Sequence, residues 1–480
     1  MMEAQTWAYA RQGGFSGFLH ALRSDTTNVS QMPLAMFSSW AWARGFGTGE
    51  LAMRSINIFW AAVALAAFAR LGRQFSIPWL PVLFAIQPLV WYYTNYARTP
   101  AMQMAGGALL LAGAAGFLPR GHKAGLDAAL LCLGGVLLSG AHILGMLPLG
   151  AVACWLVLLG IWRKLRLSVT VKAVLFLSAA ILVALAAYYA TTLLHGHAGG
   201  NYWNASPANL LFVVYEFLGF SGFGPGRQEL RAIMKGLVSS LALLPFLPGL
   251  LFLAAAYVLV FAAAAKSWMT REAAPAAFVR EGRCLAKSYA QLPPWLMGLA
   301  VPVLSGSALL LLALALAQPF WGRDLAGAFP FWILALGITI GWARQGIWRK
   351  VGRLAIMATL ACLVISSLLI RFAPWHKHDD YRGAAAEAAR RAHAGQTVCW
   401  VADKSGGVYY GLPPEKESAN TPGDIQFSMN RPDPGSPDAI IISRSDIFDS
   451  QGSLMRMLNS GEYEKVRELK AFEVWEKKTP

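Results

Sequence analysis

Acidic residues are scarce over most of this chain. Of its 25 Asp and Glu, sixteen lie from Asp379 onward, which leaves nine in the first 374 residues. Charged residues of either sign make up 14% of the 480, against 56% hydrophobic. Such values belong to integral membrane proteins rather than soluble ones. Cysteine is also sparse. Cys132, Cys154 and Cys362 fall in apolar runs, Cys284 in a basic stretch and Cys399 alone near the C-terminus. No pair has metal-site spacing, and no disulfide framework can form in the tail. Nor does the tail contain a glycine-rich phosphate loop or a nucleophile elbow. The formal net charge is +16, but the cations sit in short clusters between apolar runs, not in a basic domain. That pattern excludes a nucleic-acid-binding protein and fits cytoplasmic membrane loops.

Apolar runs are abundant. Stretches long enough, or nearly so, to cross a ~30 Å hydrocarbon core recur at about 51–70, 79–96, 101–118, 127–143, 144–161, 173–194, 236–264, 296–318, 328–343 and 354–372. Between them lie five basic clusters, around Arg70, Arg120, Arg163, Lys266 and Arg349. Ten spans put all five on one side, which the positive-inside rule makes cytoplasmic. The fold class expected is therefore a polytopic α-helical membrane protein of about ten spans. Three regions follow: a first extracytoplasmic loop (1–50), a transmembrane domain (51–374) with an outer loop at 195–235, and a soluble tail (375–480). The tail mixes charges and contains TVCWVA, AIIISRS and FEVWEK, three short strand-like runs, with helical stretches at 380–394 and about 451–460. It reads as a small extracytoplasmic α/β domain. This layout starts the chain outside with neither signal peptide nor anchor, so an upstream helix is expected and the sequence reads as N-terminally truncated.

The scarce acids can be sorted on this layout. Asp127, Glu272 and Glu281 face the cytoplasm, whereas Glu3, Asp25, Glu50, Glu216, Glu229 and Asp324 lie outside. Cations gather outside too, including Arg54, Arg98, Arg227 and Arg323. A site for an anionic head group is thus expected on the outer face. Glu3 and Asp25 are candidate general bases, since proton abstraction from an acceptor needs a carboxylate and a departing phosphate needs cations nearby. Each also reads as an exposed loop charge or helix cap. Arg98 closes the corner WYYTNYARTPAM, where a guanidinium can take a phosphate in bidentate fashion or snorkel to head groups. Arg323 occupies a similar corner with Asp324 beside it. His142, at the end of an apolar run, is a functional candidate or a packed, hydrogen-bonded histidine. His195 with His197, and His376 with His378, have two-residue spacing but no third ligand nearby, so a metal site is the minority reading. The apolar LLFVVYEFLGF, with one acid, is too short to span and suggests an interfacial helix.

Several motifs stand in an order that resembles the GT-C glycosyltransferases, in particular bacterial relatives of glycosyltransferase family 39, the protein-mannosyltransferase and aminoarabinose-transferase type. They are Glu3-Ala4, Pro33-Leu34, the run Glu50 to Arg54, the tyrosine-rich corner Tyr92 to Arg98, His142, Arg323 and the tail opening YRGAAAEAA. The sequence departs from that pattern at Met2, where the family's first acid would align, at Tyr96 and at Pro100. Either Glu3 or Asp25 then supplies the base, or the copy is altered.

The resemblance implies an inverting glycosyltransferase of the bacterial inner membrane, working on its periplasmic or extracellular side. Its partners would be the lipid bilayer, a polyprenyl-phosphate-linked sugar donor and an external acceptor (protein, lipid or glycan). Glu3 or Asp25 would be catalytic, and Arg54, Arg98, Arg323 and His142 would bind the donor phosphate. The resemblance fixes no cofactor and is compatible with a divalent metal. The alternatives are a polymerase or ligase of lipid-linked glycans, and a non-catalytic flippase or transporter of a lipid-linked sugar. A transporter would be expected to show acids deep inside the bundle or paired inverted repeats, whereas the nine acids fall at the ends of the apolar runs or between them and the sequence shows no internal repeat.

Overall fold

The computed structural model describes residues 2–25, 28–96, 98–117, 124–163, 169–195, 206–226, 230, 240–272, 282–316, 320–345, 348–376, 379–413, 425–427, 436–444, 448–449 and 452–478. Arg120, Arg227, His197 and His378 lie outside the described residues, and Glu3 is described by its backbone alone. The helices in chain order are α1 (Met2–Ala10), α2 (Phe15–Ser24), α3 (Pro33–Phe46), α4 (Glu50–Phe75), α5 (Leu80–Ala85), α6 (Pro88–Thr94), α7 (Pro100–Gly116) and α8 (Ala124–Ala141). They continue as α9 (Met146–Arg163), α10 (Val169–His195), α11 (Pro207–Phe217), α12 (Leu247–Glu272), α13 (Gly282–Leu316), α14 (Phe329–Ala343) and α15 (Arg349–Phe372). The tail carries α16 (Tyr381–His393), α17 (Lys404–Tyr409) and α18 (Ser453–Leu458), with strands β1 (Val398–Val401), β2 (Ile425–Phe427), β3 (Ala439–Ser443), β4 (Tyr463–Leu469) and β5 (Phe472–Lys477).

The chain divides into two compact units, one of residues 13–376 and one that joins residues 1–12 to 377–480. Among the described residues of the larger unit five helical stretches are long and apolar enough to cross a membrane: Glu50–Phe75, Val171–Leu194, Leu241–Thr270, Pro293–Leu316 and Arg349–Phe372. Large apolar side chains stand exposed along them, such as Phe176, Val183, Val258, Leu311 and Met357. A belt of that size is unstable in water and suits hydrocarbon. The protein is a polytopic α-helical membrane protein.

At its centre all 17 residues of α7 are buried, and they are rich in Gly and Ala. Small residues let backbones touch, which is how helices gain packing energy where water does not drive association. A Cβ on Gly106 would sit 2.7 Å from the Leu138 amide nitrogen of α8. Those on Gly113 and Gly134 would collide with the backbones of Leu131 and Leu110. Gly107 approaches the carbonyl of Gly327, just ahead of α14. α14 is itself nearly wholly buried, and Phe84, Phe68, Phe329 and Phe331 fill the space around it.

The apolar run expected as one span at 79–96 is two short helices. Gln87 is extended at φ −73°, ψ 131° between them. Pro88 explains the break: it lacks an N–H for the preceding turn and disfavours helical geometry at the residue before it. At the end of the bundle that carries the C-terminal turns of α4 and α7, Arg70 is paired with the buried carboxylate of Asp127, and Gln74 donates to the Ala115 carbonyl at 2.8 Å. Gly116 leaves the room that this carboxylate occupies.

The smaller unit is built on a five-stranded sheet in the order β2-β1-β3-β5-β4. β1, β2 and β3 run parallel, and β5 and β4 are antiparallel additions. Tyr381, Ala384, Ala385 and Ala388 form one stripe of α16 and pack with Val398, Trp400, Ile441 and Val474 on one sheet face. Cys399, Val401, Ile440 and Ile442 alternate to the other face, under Phe448, Leu454 and Leu458. β4, YEKVREL, escapes sequence reading because only Tyr463 is buried and the rest is the charged, exposed pattern of an edge strand. α1 belongs here as well. Trp7 meets Tyr409 of α17 edge-on at 5.2 Å, and Arg11 lies 4.5 Å over the Trp7 ring.

Glu387 holds this unit's main ionic cluster. It is 5% exposed and accepts from Arg390 (2.6 Å), Arg391 (2.8 Å) and Arg467 (3.2 Å). Its hydrogen bonds to Arg390, and then to Arg391, lower its carboxyl from 4.5 to about 2 despite burial. A depressed folded value stabilises above the unfolded value and loses that contribution as the pH falls. The tail unit of the full chain should therefore lose stability between pH 4.5 and about 2, followed by tryptophan fluorescence. Glu387→Gln should be less stable at neutral pH and flatter over that window; an unchanged acid limb refutes the assignment. A second expectation concerns the helix contacts. Gly113→Val should destabilise the detergent-solubilised protein by about 2 kcal/mol or more. Gly125→Ala, where nothing lies within 4 Å, should leave the thermal midpoint within a degree or two, roughly the change expected of a surface site.

Candidate functional site

The site lies at the end of the larger unit opposite the Arg70–Asp127 pair. Three chain corners meet there. The first follows α6. Asn57, 1% exposed on α4, donates its side-chain amide to the carbonyls of Thr94 (3.2 Å) and Tyr96. Tyr92 and Tyr96 share a hydroxyl–hydroxyl bond of 2.9 Å, and the Arg98 amide donates to the Tyr96 carbonyl at 2.7 Å. Arg98 is thereby held half-buried one residue ahead of Thr99, which caps α7 with Pro100 in its first turn. A helix N-terminus adds partial positive charge to that of the guanidinium.

The second corner is His142. α8 stops at Ala141, and His142 is extended at φ −162°. Its Nδ1 accepts from the Leu144 amide at 3.1 Å, so the neutral ring carries its proton on Nε2 and presents a donor. The side chain is 8% exposed. The third corner runs from Phe320 to Leu325, ahead of α14. The Trp321 amide donates to Asp324 Oδ2 at 2.8 Å, while Arg323 Nε stands 3.6 Å from Asp324 Oδ1. This ion pair is loose, and Arg323 is 31% exposed. The segments 143–145 and 322–325 pack against each other, and Asp324, Arg323 and Arg98 lie within electrostatic range of His142.

Three of the six sequence candidates therefore come together: Arg98, His142 and Arg323. Asp324, expected only as a partner for Arg323, joins them. Arg54 lies on α4 one turn before Asn57 and is paired with Glu50 at 2.7 Å. Asp25 is half-buried at the C-terminal end of α2, within electrostatic reach of Tyr188 on α10. Tyr188 donates to the Ser30 carbonyl at 2.8 Å and its neighbour Tyr189 to the Ser139 carbonyl at 2.6 Å, three residues before His142. Glu3 is on α1, in the other compact unit.

The chain matches no family model and no curated protein. It is similar over nearly its whole length to two solved structures of ArnT from Cupriavidus metallidurans. One is the apo state, with 13% identity, 98% of this chain and 92% of that chain covered and a TM-score of 0.40. The other is bound to undecaprenyl phosphate, with 13% identity, coverage of 98% and 93%, and a TM-score of 0.41.

Sequence reasoning passed over Glu216. It is 2% exposed on α11 and accepts from the Gly322 amide at 2.9 Å, next to Arg323. Its signal was present as the single acid in an otherwise apolar helix. Glu216 also lines a small cleft, together with Tyr92, Phe212, Tyr215 and His376. His376 Nε2 lies 3.1 Å from the Gly222 carbonyl. Among the described residues no three His, Cys, Asp or Glu gather as a metal site. Two guanidinium groups, an imidazole N–H and a helix N-terminus at the end of an apolar bundle can hold a phosphate whose remaining substituent is a lipid.

Proposed function

We propose that the protein is an integral membrane glycosyltransferase that takes a sugar from a polyprenyl-phosphate donor and passes it to an extracytoplasmic acceptor with inversion. The observation that carries this reading is the convergence of Arg98, His142 and Arg323, from three separate corners, at one end of a lipid-exposed bundle. Two arginines neutralise the phosphate as it departs with the sugar bond's electrons, and His142 Nε2–H donates to one of its oxygens. A carboxylate accepts the proton of the incoming hydroxyl on the opposite face of the sugar. Asp25 fits that role better than Glu3, because it belongs to the compact unit that carries the arginines. The positive clusters at the far end then face the cytoplasm of a bacterial inner membrane, and the site and the tail unit face outward.

Binding of undecaprenyl phosphate to the nanodisc-reconstituted protein tests the phosphate site. Arg98→Ala and Arg323→Ala should each weaken it roughly 10- to 100-fold, the usual loss of a charge-assisted hydrogen bond, with undecaprenol as the uncharged control. Equal affinity for phosphate and alcohol would refute the reading. With a sugar-loaded donor, Asp25→Asn should lower turnover on the order of 100-fold or more while donor affinity stays within a factor of two. Wild-type turnover in Asp25→Asn, with loss in Glu3→Gln, would transfer the base to Glu3.

A further inference from the structure

Helix α11 presents three side chains at positions i, i+3 and i+7 to one short segment of chain. Asn209, 2% exposed, donates its side-chain amide to the Phe320 carbonyl at 3.2 Å. Phe212 meets Trp321 edge-on, with ring centroids 5.4 Å apart. Glu216 accepts the Gly322 amide at 2.9 Å. One stripe of the helix thus reads residues 320, 321 and 322 in register, and the next residue is Arg323. The fit is tight: a Cβ on Gly322 would collide with Glu216 Oε2. Glycine is used there because the carboxylate comes so close. α11 begins firmly, with a reciprocal Ser206–Asn209 capping box and Pro207 in its first turn.

A buried carboxylate in a unit so poor in acids is costly unless it has a task. We propose that Glu216 is a positioning residue for the anion site: with Asn209 and Phe212 it clamps residues 320–322 and so sets where the Arg323 guanidinium stands relative to Arg98 and His142. This assignment rests on the phosphate reading above and adds a residue that acts through another, without touching the lipid phosphate itself. The bond needs an acceptor oxygen at position 216, not a charge. A glutamine keeps that oxygen and an alanine removes it.

The test uses full-length protein in nanodiscs with undecaprenyl phosphate and undecaprenol as probes. Glu216→Ala should weaken undecaprenyl phosphate about tenfold, as expected for a lost hydrogen bond to a charge-bearing segment, with undecaprenol unaffected. Glu216→Gln should stay within about threefold of wild type. Gly322→Ala, which displaces the carboxylate without removing it, should match Glu216→Ala. Combined with Arg323→Ala, Glu216→Ala should add nothing, because both act through one guanidinium. Additive losses, or a Glu216→Gln as weak as Glu216→Ala, would overturn the clamp. Hydrogen exchange supplies a readout that does not depend on the ligand. Amides of 320–325 should exchange faster in Glu216→Ala and not in Glu216→Gln. Unaltered exchange would reject the clamp even if the phosphate site stands, whereas faster exchange with no phosphate binding by the wild type would reject the phosphate site and retain the clamp.

Discussion

Backbone-to-backbone contact at glycine is the constraint from which the rest of the larger unit follows. α7 touches α8 through Gly106, Gly113 and Gly134, and it touches the approach to α14 through Gly107 and Gly327. Apolar side chains cannot produce such contacts by hydrophobic pressure in a bilayer, where the lipid is equally apolar; close dispersion packing must do so. The consequence reaches the site. Arg98 precedes α7, His142 follows α8 and Arg323 precedes α14. Three helices locked at their backbones bring their corners together. A bulkier residue at any of these glycines would move a corner before it touched any ligand.

Charge is then rationed by position. Arg70 and Asp127 pair at the end of the bundle away from the site, where each answers the other. At the site Asp324 stands beside Arg323, and its Oδ2 accepts from the Trp321 amide. Glu216 enters this balance differently. It spends one oxygen on a backbone amide and thereby fixes geometry.

Much of this was legible in the sequence because membrane helices announce themselves by length and apolarity, and corners by their isolated charges. Arg98, His142 and Arg323 were singled out that way as candidates. The break at Gln87–Pro88 was equally written in the residues, yet the surrounding apolar run concealed it. β4 was hidden for the opposite reason, since an edge strand with one buried residue has no apolar alternation to detect. The grouping of residues 1–12 with the tail has no local signature, because the Trp7–Tyr409 contact joins positions about four hundred residues apart. Glu216 was visible as an acid, but its partner is a backbone amide, and a sequence cannot say which amide a carboxylate will meet.

That grouping bears on the two candidate bases. General-base catalysis gains most when base and substrate are held on one rigid body, since the gain comes from entropy already lost in folding. Asp25 belongs to the larger unit, as the proposed anion site does. α2 ends at Asp25; on α10 Tyr188 donates to the Ser30 carbonyl, and Tyr189 holds the Ser139 carbonyl near His142. α3 strengthens this end, with Leu34 set against Gly140. Glu3 sits on a helix that packs with α17, in the unit of the tail. A base there would depend on how two units are held together, whereas a base at Asp25 depends on contacts within one. The second arrangement is the one that a reaction needing a fixed distance between carboxylate and phosphate favours.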